Sequence, residues 1–232
     1  MPADHAVPAA PRPTVAVEGS ALRFPVRRIF CVGRNYPEHS REMGFGDVRA
    51  PPFFFTKPAD AVIASGSDVP FPTRTANLHH EIELVVALGK GGRDVAVEDA
   101  AGLVYGYAVG VDLTRRDVQA AMKEQGKPWD TAKGFDHSAP ISSIVPVTGK
   151  AHPVNGRIWL AVNDKPRQQG DIADMIWSVP EIIAELSTWF TLAAGDLIFT
   201  GTPAGVGALV PGDRVQGGVD GVGTLAFTMA GR

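Results

Sequence analysis

Short runs of apolar residues separated by turn-forming residues predict a domain built mainly from strands. Such runs occupy residues 27–33, 53–64, 81–89, 104–114, 157–164, 196–203 and 223–229. Most are bounded by Gly, Pro, Asn or Asp, as expected for strands that end in turns, and Asn163 and Asp164 are predicted to open such a turn. The chain contains 26 Gly and 19 Pro, and its pattern is not a regular alternation of strands and helices. The predicted fold class is therefore α+β, strand-dominated, with short helices.

Two segments carry helix signals. Thr114 followed by Asp117 is a weak cap before "RRDVQAAMKEQ", which runs on to a Gly and a Pro. The segment "SVPEIIAELSTWF" is stronger, because Ser178 and Glu181 have the spacing of a capping box. Pro180 falls in the first turn, where a missing N–H is tolerated. We expect helices in both places.

Composition limits the kind of protein this is. The 232 residues are 44% hydrophobic and 20% charged with a net charge of −3, which is typical of a globular chain with a sizeable core. Basic residues do not cluster and no apolar run is long enough to span a bilayer, so we expect no nucleic-acid or membrane partner. The single cysteine, Cys31, and the lack of a signal-peptide pattern favour the cytoplasm. Residues 1–20, rich in Pro and Ala, are predicted to be a tail or edge segment before a single domain at 21–232.

The segment "LHHEIELVVAL", residues 78–88, combines a buried strand with acidic residues. Alternation along a strand places Glu81 and Glu83 on one face, and Val85 and Ala87 continue that face with apolar groups. Two carboxylates held side by side are costly to bury unless a proton or a cation lies between them. The alternative is a solvated sheet edge on which both Glu side chains are exposed.

A third acidic residue has a similar setting. Asp112 ends the apolar run "AVGVDLT"; it is either a capping or turn residue or part of the same site. Three carboxylates converging from strands would suit a hard divalent cation, namely Mg²⁺, Mn²⁺ or Ca²⁺. His79 and His80 raise the alternative of zinc, but no further zinc pattern accompanies them.

A candidate acid–base pair lies in "GRNYPEHSREMG". His39 and Glu42, three residues apart, face each other on one turn of a helix. A His held by a carboxylate is a good general base for water, although a surface ion pair is the alternative. The flanking Gly33, Pro37 and Gly44 suggest a short mobile segment, which suits a lid.

Further candidates are less specific. Lys57 and Lys133 each follow or lie near apolar residues, where a lysine either extends to solvent or holds an anion. The segment "TGTPAGVG", residues 200–207, lacks the features of a phosphate loop, but its N–H groups and hydroxyls could hold a carboxylate.

Seven stretches together resemble the fumarylacetoacetate hydrolase family, from about residue 27 onwards. They are "CVGRNYPEHSREMG", "FFFTKPADA", "LHHEIELVVALG", "VDLTRRDVQ", "PWDTAKGFDHSAP", "VNDKPRQQGDIADMIWSVPEII" and "LAAGDLIFTGTPAGVG". The segments "KGFDHSAP" and "RQQGDIADMIW" resemble its short bacterial acylpyruvase branch. The chain differs in a longer N-terminal tail and in a short loop, "EMGFGDVRAPP".

The resemblance implies a mixed β-roll, a homodimer and a site for Mg²⁺ or Mn²⁺, with Ca²⁺ as an ion that can replace them in crystals. It assigns metal ligation to Glu81, Glu83 and Asp112. It also implies a catalytic group consisting of His39, Glu42 and Lys133. Six residues correspond to positions around the substrate in relatives, namely Arg34, Tyr36, Lys57, Arg116, Gln119 and Thr200.

The function implied by the resemblance is hydrolysis of a carbon–carbon bond in a 2,4-diketo acid. The expected substrate is fumarylpyruvate, cleaved to fumarate and pyruvate in the gentisate pathway of aromatic degradation. Its second carboxylate requires a cationic partner, for which Arg34, Arg41 and His137 are the candidates. The alternatives are a general acylpyruvase, an oxaloacetate decarboxylase, an isomerase or hydratase, and a non-catalytic ligand-binding dimer stabilised by metal.

Overall fold

The computed structural model describes residues 6–42, 44 and 49–231, and strands dominate it. The strands are β1 (Thr14–Ala16), β2 (Arg23–Pro25), β3 (Arg28–Gly33), β4 (Phe53–Lys57), β5 (Val62–Ala64), β6 (Asp68–Pro70), β7 (Leu78–His80), β8 (Ile82–Leu88), β9 (Val104–Val111), β10 (Thr114–Arg115), β11 (Ala139–Ile141), β12 (Val145–Pro146), β13 (Arg157–Val162), β14 (Lys165–Asp171), β15 (Asp196–Phe199), β16 (Gly207–Leu209), β17 (Arg214–Val219) and β18 (Gly223–Ala230). The α-helices are α1 (Pro37–Glu42), α2 (Val97–Ala100), α3 (Arg116–Glu124), α4 (Asp130–Lys133) and α5 (Val179–Trp189), and 3₁₀ turns cover Ala59–Ala61, Ala101–Leu103 and Ile172–Asp174. The predicted α+β, strand-dominated class is confirmed.

A mixed sheet of eight strands carries the site. Its order is β4-β3-β15-β8-β9-β11-β5, and β12 also pairs with β9. The strand β8 is buried along its whole length because apolar layers cover both faces of the sheet. Leu84 and Val86 join one core cluster, and Val85 and Ala87 join the other. The alternation predicted for this strand is therefore confirmed.

A second sheet packs against the first across the larger of these two clusters. Its order is β14-β13-β17-β18-β6. Its Leu160 and Phe227 lie in the same apolar cluster as Leu84 of β8. The turn between β13 and β14 is made by Asn163 and Asp164 at φ of 50° and 61°. Positive φ at both turn residues matches the right-handed twist of a hairpin, which explains this predicted turn.

Both predicted helices are present, as α3 and α5, but their predicted caps had different outcomes. The helix α5 begins after Ser178, whose backbone N–H donates to Glu181 Oε2 at 2.9 Å, so the predicted capping box is confirmed. The cap predicted at Thr114 is wrong. Arg115 precedes α3 without a side-chain cap, and the Thr114 hydroxyl donates instead to Glu81 Oε1 at 3.1 Å. Within the described residues, no helix is long and apolar enough to cross a membrane.

The alternation along the segment 78–88 suggested one continuous strand, but the structure divides this segment into two strands. Glu81 interrupts it, so that β7 turns away into a small sheet with the order β10-β7-β16. In this small sheet Thr114 lies opposite His79. The break brings Glu81 beside the start of α3 instead of leaving it in the ladder of the large sheet.

Candidate active site

Three buried carboxylates meet where β8 and β9 run side by side. Glu83 lies on β8 opposite Gly110, and the backbone N–H of Asp112 donates to the carbonyl of Glu81 at 2.8 Å. The exposed fractions of Glu81, Glu83 and Asp112 are 5%, 1% and 0%. One carboxylate oxygen from each lies within 4.8 Å of the others. The solvated-edge alternative is therefore wrong for both Glu residues.

Cationic side chains surround two of these carboxylates. Lys133 Nζ donates to Glu81 Oε2 at 2.9 Å and to Asp112 Oδ2 at 2.6 Å, while Lys57 Nζ lies 2.8 Å from Asp112 Oδ1. Arg116 donates to Glu81 Oε1. Burial raises the pKa of Glu81, but Lys133 and Arg116 outweigh burial and hold that pKa below its usual range. The Glu81 carboxylate is therefore held in the charged form.

Glu83 has a different environment. The contact found for its side chain is a hydrogen bond from the Gly201 N–H to Oε2 at 2.7 Å. Burial, followed by repulsion from Asp112 and Glu81, raises the pKa of Glu83 well above its usual range. A positive charge placed nearby would stabilise the charged form of this carboxylate. The site therefore fits a cation placed between Glu83 and its two neighbours.

The donor set indicates which cation would fit. Carboxylate oxygens suit Mg²⁺, Mn²⁺ or Ca²⁺. The side chains of His79 and His80 do not join this group, because His79 Nε2 contacts Asn77 Oδ1 at 2.9 Å and His80 Nδ1 contacts Gln168 Oε1 at 2.8 Å. The structure thus gives no support for zinc at this point.

The predicted dyad is formed on α1. His39 Nδ1 lies 3.1 Å from Glu42 Oε2, and His39 is 7% exposed. The Gly205 N–H also approaches both oxygens of Glu42, at 3.3 Å each. Residues 43 and 45–48, which belong to the predicted lid and to the short loop after it, lie outside the described residues. The mobility of the lid stays a prediction.

One cavity brings the two groups together. Its volume is about 150 Å³, and its wall includes His39, Glu81, Glu83 and Lys133. Asp112 lies beneath this wall, where it contacts Lys57 and Lys133. A molecule in the cavity can therefore contact the carboxylates of Glu81 and Glu83 and the imidazole of His39.

The six predicted substrate-binding residues divide into two sets. Arg34, Arg116 and Gln119 line the cavity. The structure does not bring the other three to its wall. Lys57 is paired with Asp112, the Thr200 hydroxyl donates to the Leu84 carbonyl at 3.0 Å, and Tyr36 lines a separate cavity of about 320 Å³.

Several residues on the cavity wall were not predicted as site residues. Lys123 shares one face of α3 with Arg116 and Gln119, and the helical spacing of these residues would have revealed it. Phe53, Phe55 and Trp129 form an aromatic surface, in which the ring centroids of Phe53 and Trp129 lie 5.3 Å apart. The two Phe residues alternate with Phe54 along β4, so strand periodicity would have placed them on one face.

Residues 28–230 match the family model described as fumarylacetoacetate (FAA) hydrolase C-terminal. The chain belongs to the fumarylacetoacetate hydrolase family. A fumarylpyruvate hydrolase of Ralstonia sp is 46% identical over 177 residues, which are 76% of this chain and 92% of that protein. The mitochondrial oxaloacetate tautomerase of Bos taurus is 45% identical over 201 residues, covering 87% of this chain and 90% of the other.

A solved member of the family has nearly the same backbone. The crystal structure of fumarylpyruvate hydrolase from Pseudomonas aeruginosa, in complex with Mn²⁺ and pyruvate, has a TM-score of 0.96 and 48% identity. The similarity covers 99% of this chain and 100% of the other. The prediction of an enzyme of the type that hydrolyses carbon–carbon bonds is confirmed by these relatives. The non-catalytic alternative is therefore set aside.

Proposed function

We propose that the chain hydrolyses the C3–C4 bond of a 2,4-diketo acid and that its substrate is fumarylpyruvate. The observation that carries the proposal is the meeting of three buried carboxylates with the His39–Glu42 dyad at one cavity. The Ralstonia and Pseudomonas relatives named for this activity support it. Such a reaction requires both an activated water and stabilisation of an enolate, and these two groups are suited to those tasks.

Glu81, Glu83 and Asp112 would hold Mg²⁺ or Mn²⁺. When bound, the cation would supply Lewis-acid stabilisation of negative charge on the oxygens of the diketo acid. His39, held by Glu42, takes a proton from water, and the hydroxide formed attacks C4. The C3–C4 bond breaks, its electron pair leaves with the pyruvate enolate, and protonation of C3 gives pyruvate beside fumarate. Lys133 lies at the cavity wall, where its ammonium stabilises developing negative charge.

The charges around the site support a substrate with two carboxylates. Lys57, Lys133 and Arg116, which contact Glu81 and Asp112, carry as many positive charges as the three carboxylates carry negative ones, so a divalent cation would leave two positive charges. The side chains of Arg34 and Lys123 also lie at the cavity wall. A dianion such as fumarylpyruvate offsets this charge better than a monoanion does.

Arg34, Arg41 and His137 were predicted as partners of the second carboxylate of fumarylpyruvate. Of these three residues, Arg34 lines the active-site cavity. Its guanidinium lies 5.1 Å from the ring centroid of Phe53, at the aromatic surface. Arg41 lines the separate cavity with Tyr36, and His137 lines neither of these cavities. Lys123, on the wall of the active-site cavity, replaces them as the second candidate.

A second candidate function is tautomerisation of oxaloacetate, which the relative from Bos taurus favours. Tautomerisation moves a proton and needs no attack by water. The surface formed by Phe53, Phe55 and Trp129 favours the hydrolase, because a planar acyl group can stack against aromatic rings and oxaloacetate has no such group. Oxaloacetate decarboxylation, the other alternative from the sequence, uses the same substrate and can be assayed beside it.

The deciding experiment is a parallel assay of the purified Mn²⁺-loaded protein on fumarylpyruvate, acetylpyruvate and oxaloacetate. We expect the ultraviolet absorbance of the diketo enolate to disappear fastest with fumarylpyruvate, and fumarate and pyruvate to be identified as products. Arg34→Gln and Lys123→Gln should lower kcat/KM for fumarylpyruvate more than for acetylpyruvate, and Arg41→Gln should not. A wild-type preference for oxaloacetate or acetylpyruvate would contradict the fumarylpyruvate assignment.

We also propose that the chain acts as a homodimer in the cytoplasm, within the gentisate pathway. The support is the family resemblance and the single cysteine, Cys31, which is buried and free. Sedimentation equilibrium should give twice the chain mass of 24.5 kDa. A monomer at micromolar concentration would contradict the dimer.

A further inference from the structure

Gln168 is a buried polar residue in an otherwise polar and exposed part of β14. Its exposed fraction is 1%, whereas its neighbours Arg167 and Gln169 are exposed. A buried amide has two N–H donors and two acceptor lone pairs to satisfy. The hydrogen-bond partners of Gln168 therefore show which segments of the chain this buried side chain connects.

All four positions of this amide are used. Gln168 Oε1 accepts from the Ile82 N–H at 3.1 Å and from His80 Nδ1 at 2.8 Å. Its Nε2 donates to Thr202 Oγ1 at 2.8 Å and to the Pro203 carbonyl at 2.8 Å. The orientation of the amide is fixed, because the Ile82 N–H can only donate and the Pro203 carbonyl can only accept. One side chain thus joins the residues that flank Glu81 to the loop 200–205.

That loop contacts both halves of the active site. The Gly201 N–H donates to Glu83 at 2.7 Å, and the Gly205 N–H approaches Glu42 at 3.3 Å. The loop also packs tightly on β14, since a Cβ at Gly205 would lie 2.2 Å from the Arg167 carbonyl oxygen. The position of the loop therefore sets Glu42 relative to Glu83.

We infer that Gln168 is a positioning residue that holds the His39–Glu42 dyad at its working distance from the carboxylates, acting through the loop 200–205. The inference rests on the proposed hydrolysis, in which His39 activates water. Without the amide, the loop loses two of its anchors, and Glu42 then loses the Gly205 N–H. Glu81 and Asp112 keep their own cationic partners. Thr200, at the start of the loop, stays bonded to the Leu84 carbonyl, so Gly201 keeps its place beside Glu83.

Two variants and a matched control test this role. Gln168→Leu removes all four hydrogen bonds at similar volume. Gln168→Glu keeps the acceptor for Ile82 and His80 but turns a second oxygen towards the Pro203 carbonyl. It therefore removes the hydrogen bond to Pro203 and weakens the connection to the loop alone, because the Thr202 hydroxyl can still donate to a carboxylate. Gln169→Leu changes the exposed neighbour on the same strand and is the control.

With Mn²⁺ and fumarylpyruvate saturating, both Gln168 variants should lose roughly 100-fold in kcat, the usual effect of a small misplacement of reacting groups. Their KM and Mn²⁺ affinity should stay close to those of the wild type, and Gln169→Leu should behave as the wild type. Unchanged kcat in folded Gln168→Glu, or equal losses of kcat and Mn²⁺ affinity, would overturn the inference and indicate a structural role.

Crystal structures of the Mn²⁺-loaded wild type and Gln168→Glu provide a readout that is independent of the substrate. The Gly205 N–H should be displaced from Glu42 in the variant, while Glu81, Glu83 and Asp112 superimpose. An unmoved loop would overturn the inference at any level of activity. Failure of the wild type to hydrolyse fumarylpyruvate would contradict the proposed function, and the displacement of the loop would still decide the role of Gln168.

Discussion

The carboxylate triad and the His39–Glu42 dyad share one cavity but are built in different ways. The triad lies at adjacent strands of a sheet covered on both faces, and its members are at most 5% exposed. The dyad lies on a six-residue helix, and 35% of the Glu42 side chain is exposed. Buried lysines at 2.6 to 2.9 Å balance the charges of Glu81 and Asp112, whereas Glu42 is approached by one backbone amide, the Gly205 N–H, at 3.3 Å.

This difference matches the tasks proposed for the two groups. A cation site requires fixed oxygen ligands, and strands paired on both sides supply them. A general base must be held near water and substrate, and a short surface helix can adjust its position when they bind. The variants below separate these two tasks, from the largest expected effect to the smallest.

Glu83→Gln should have the largest effect on activity and little effect on the fold. Because changes to groups that merely support metal ligands cost roughly 10- to 100-fold in affinity, loss of a ligand should lower Mn²⁺ affinity by more than about 100-fold. Without metal, the variant should be at least as stable as the wild type, because it removes a buried carboxyl group whose pKa is raised by burial and by its acidic neighbours. Calorimetric Mn²⁺ titration and thermal unfolding in chelator measure the two effects, and wild-type affinity would contradict the triad.

His39→Ala should lower kcat by roughly 10²- to 10⁴-fold, the usual contribution of a general base. Its Mn²⁺ affinity should be unchanged, because the imidazole is not among the carboxylate ligands. Any oxaloacetate decarboxylation should suffer less, since that reaction requires no activated water. Equal loss of both activities would show that His39 does something other than activate water.

Asp112→Asn should contrast with Glu83→Gln in stability. Asp112 pairs with both Lys57 and Lys133, so the variant leaves two buried ammonium groups poorly balanced. Breaking a buried ion pair on one side costs about 3–5 kcal/mol, and we expect a loss of that size in chelator. Equal unfolding free energies for the two variants would contradict the different charge environments described for Glu83 and Asp112.

Lys133→Met keeps most of the side-chain volume and removes the charge. We expect a large fall in kcat with Mn²⁺ still bound, because the ammonium no longer stabilises the developing negative charge. The metal-free variant should also be less stable, since Glu81 and Asp112 lose a shared partner. Rapid-quench kinetics at saturating Mn²⁺ separate the two effects, and a normal kcat would remove Lys133 from the catalytic group.

Glu42→Gln should have the smallest effect of the five. A hydrogen bond to a charged group contributes about 1.5–3 kcal/mol, which corresponds to roughly 10- to 150-fold in rate. The amide can still contact His39, so the loss should be smaller than in His39→Ala. A loss as large as that of His39→Ala would mean that Glu42 takes part in proton transfer itself.

Local features were predicted well because neighbouring residues determine them. The alternation in β8, the capping box of Ser178 and the turn at Asn163 and Asp164 each depend on residues a few positions apart. The strands β14 and β17 were missed, because their sequences "KPRQQGD" and "RVQGGV" are polar or rich in Gly. Only pairing with β13 and β18 makes them strands, and tertiary context outweighs such weak propensities.

The sequence by itself determined the types of residue present and, through the family resemblance, the candidates for metal ligation and catalysis. Tertiary structure decided the environment of each one. Lys133 reaches Glu81 from 52 positions away, and Gln168 reaches Ile82 from 86 positions away. Tertiary structure also kept Thr200 out of the cavity wall, because its hydroxyl donates to the Leu84 carbonyl. The physical reason is that burial and charge balance arise from contacts between distant segments, which the order of residues along the chain does not contain.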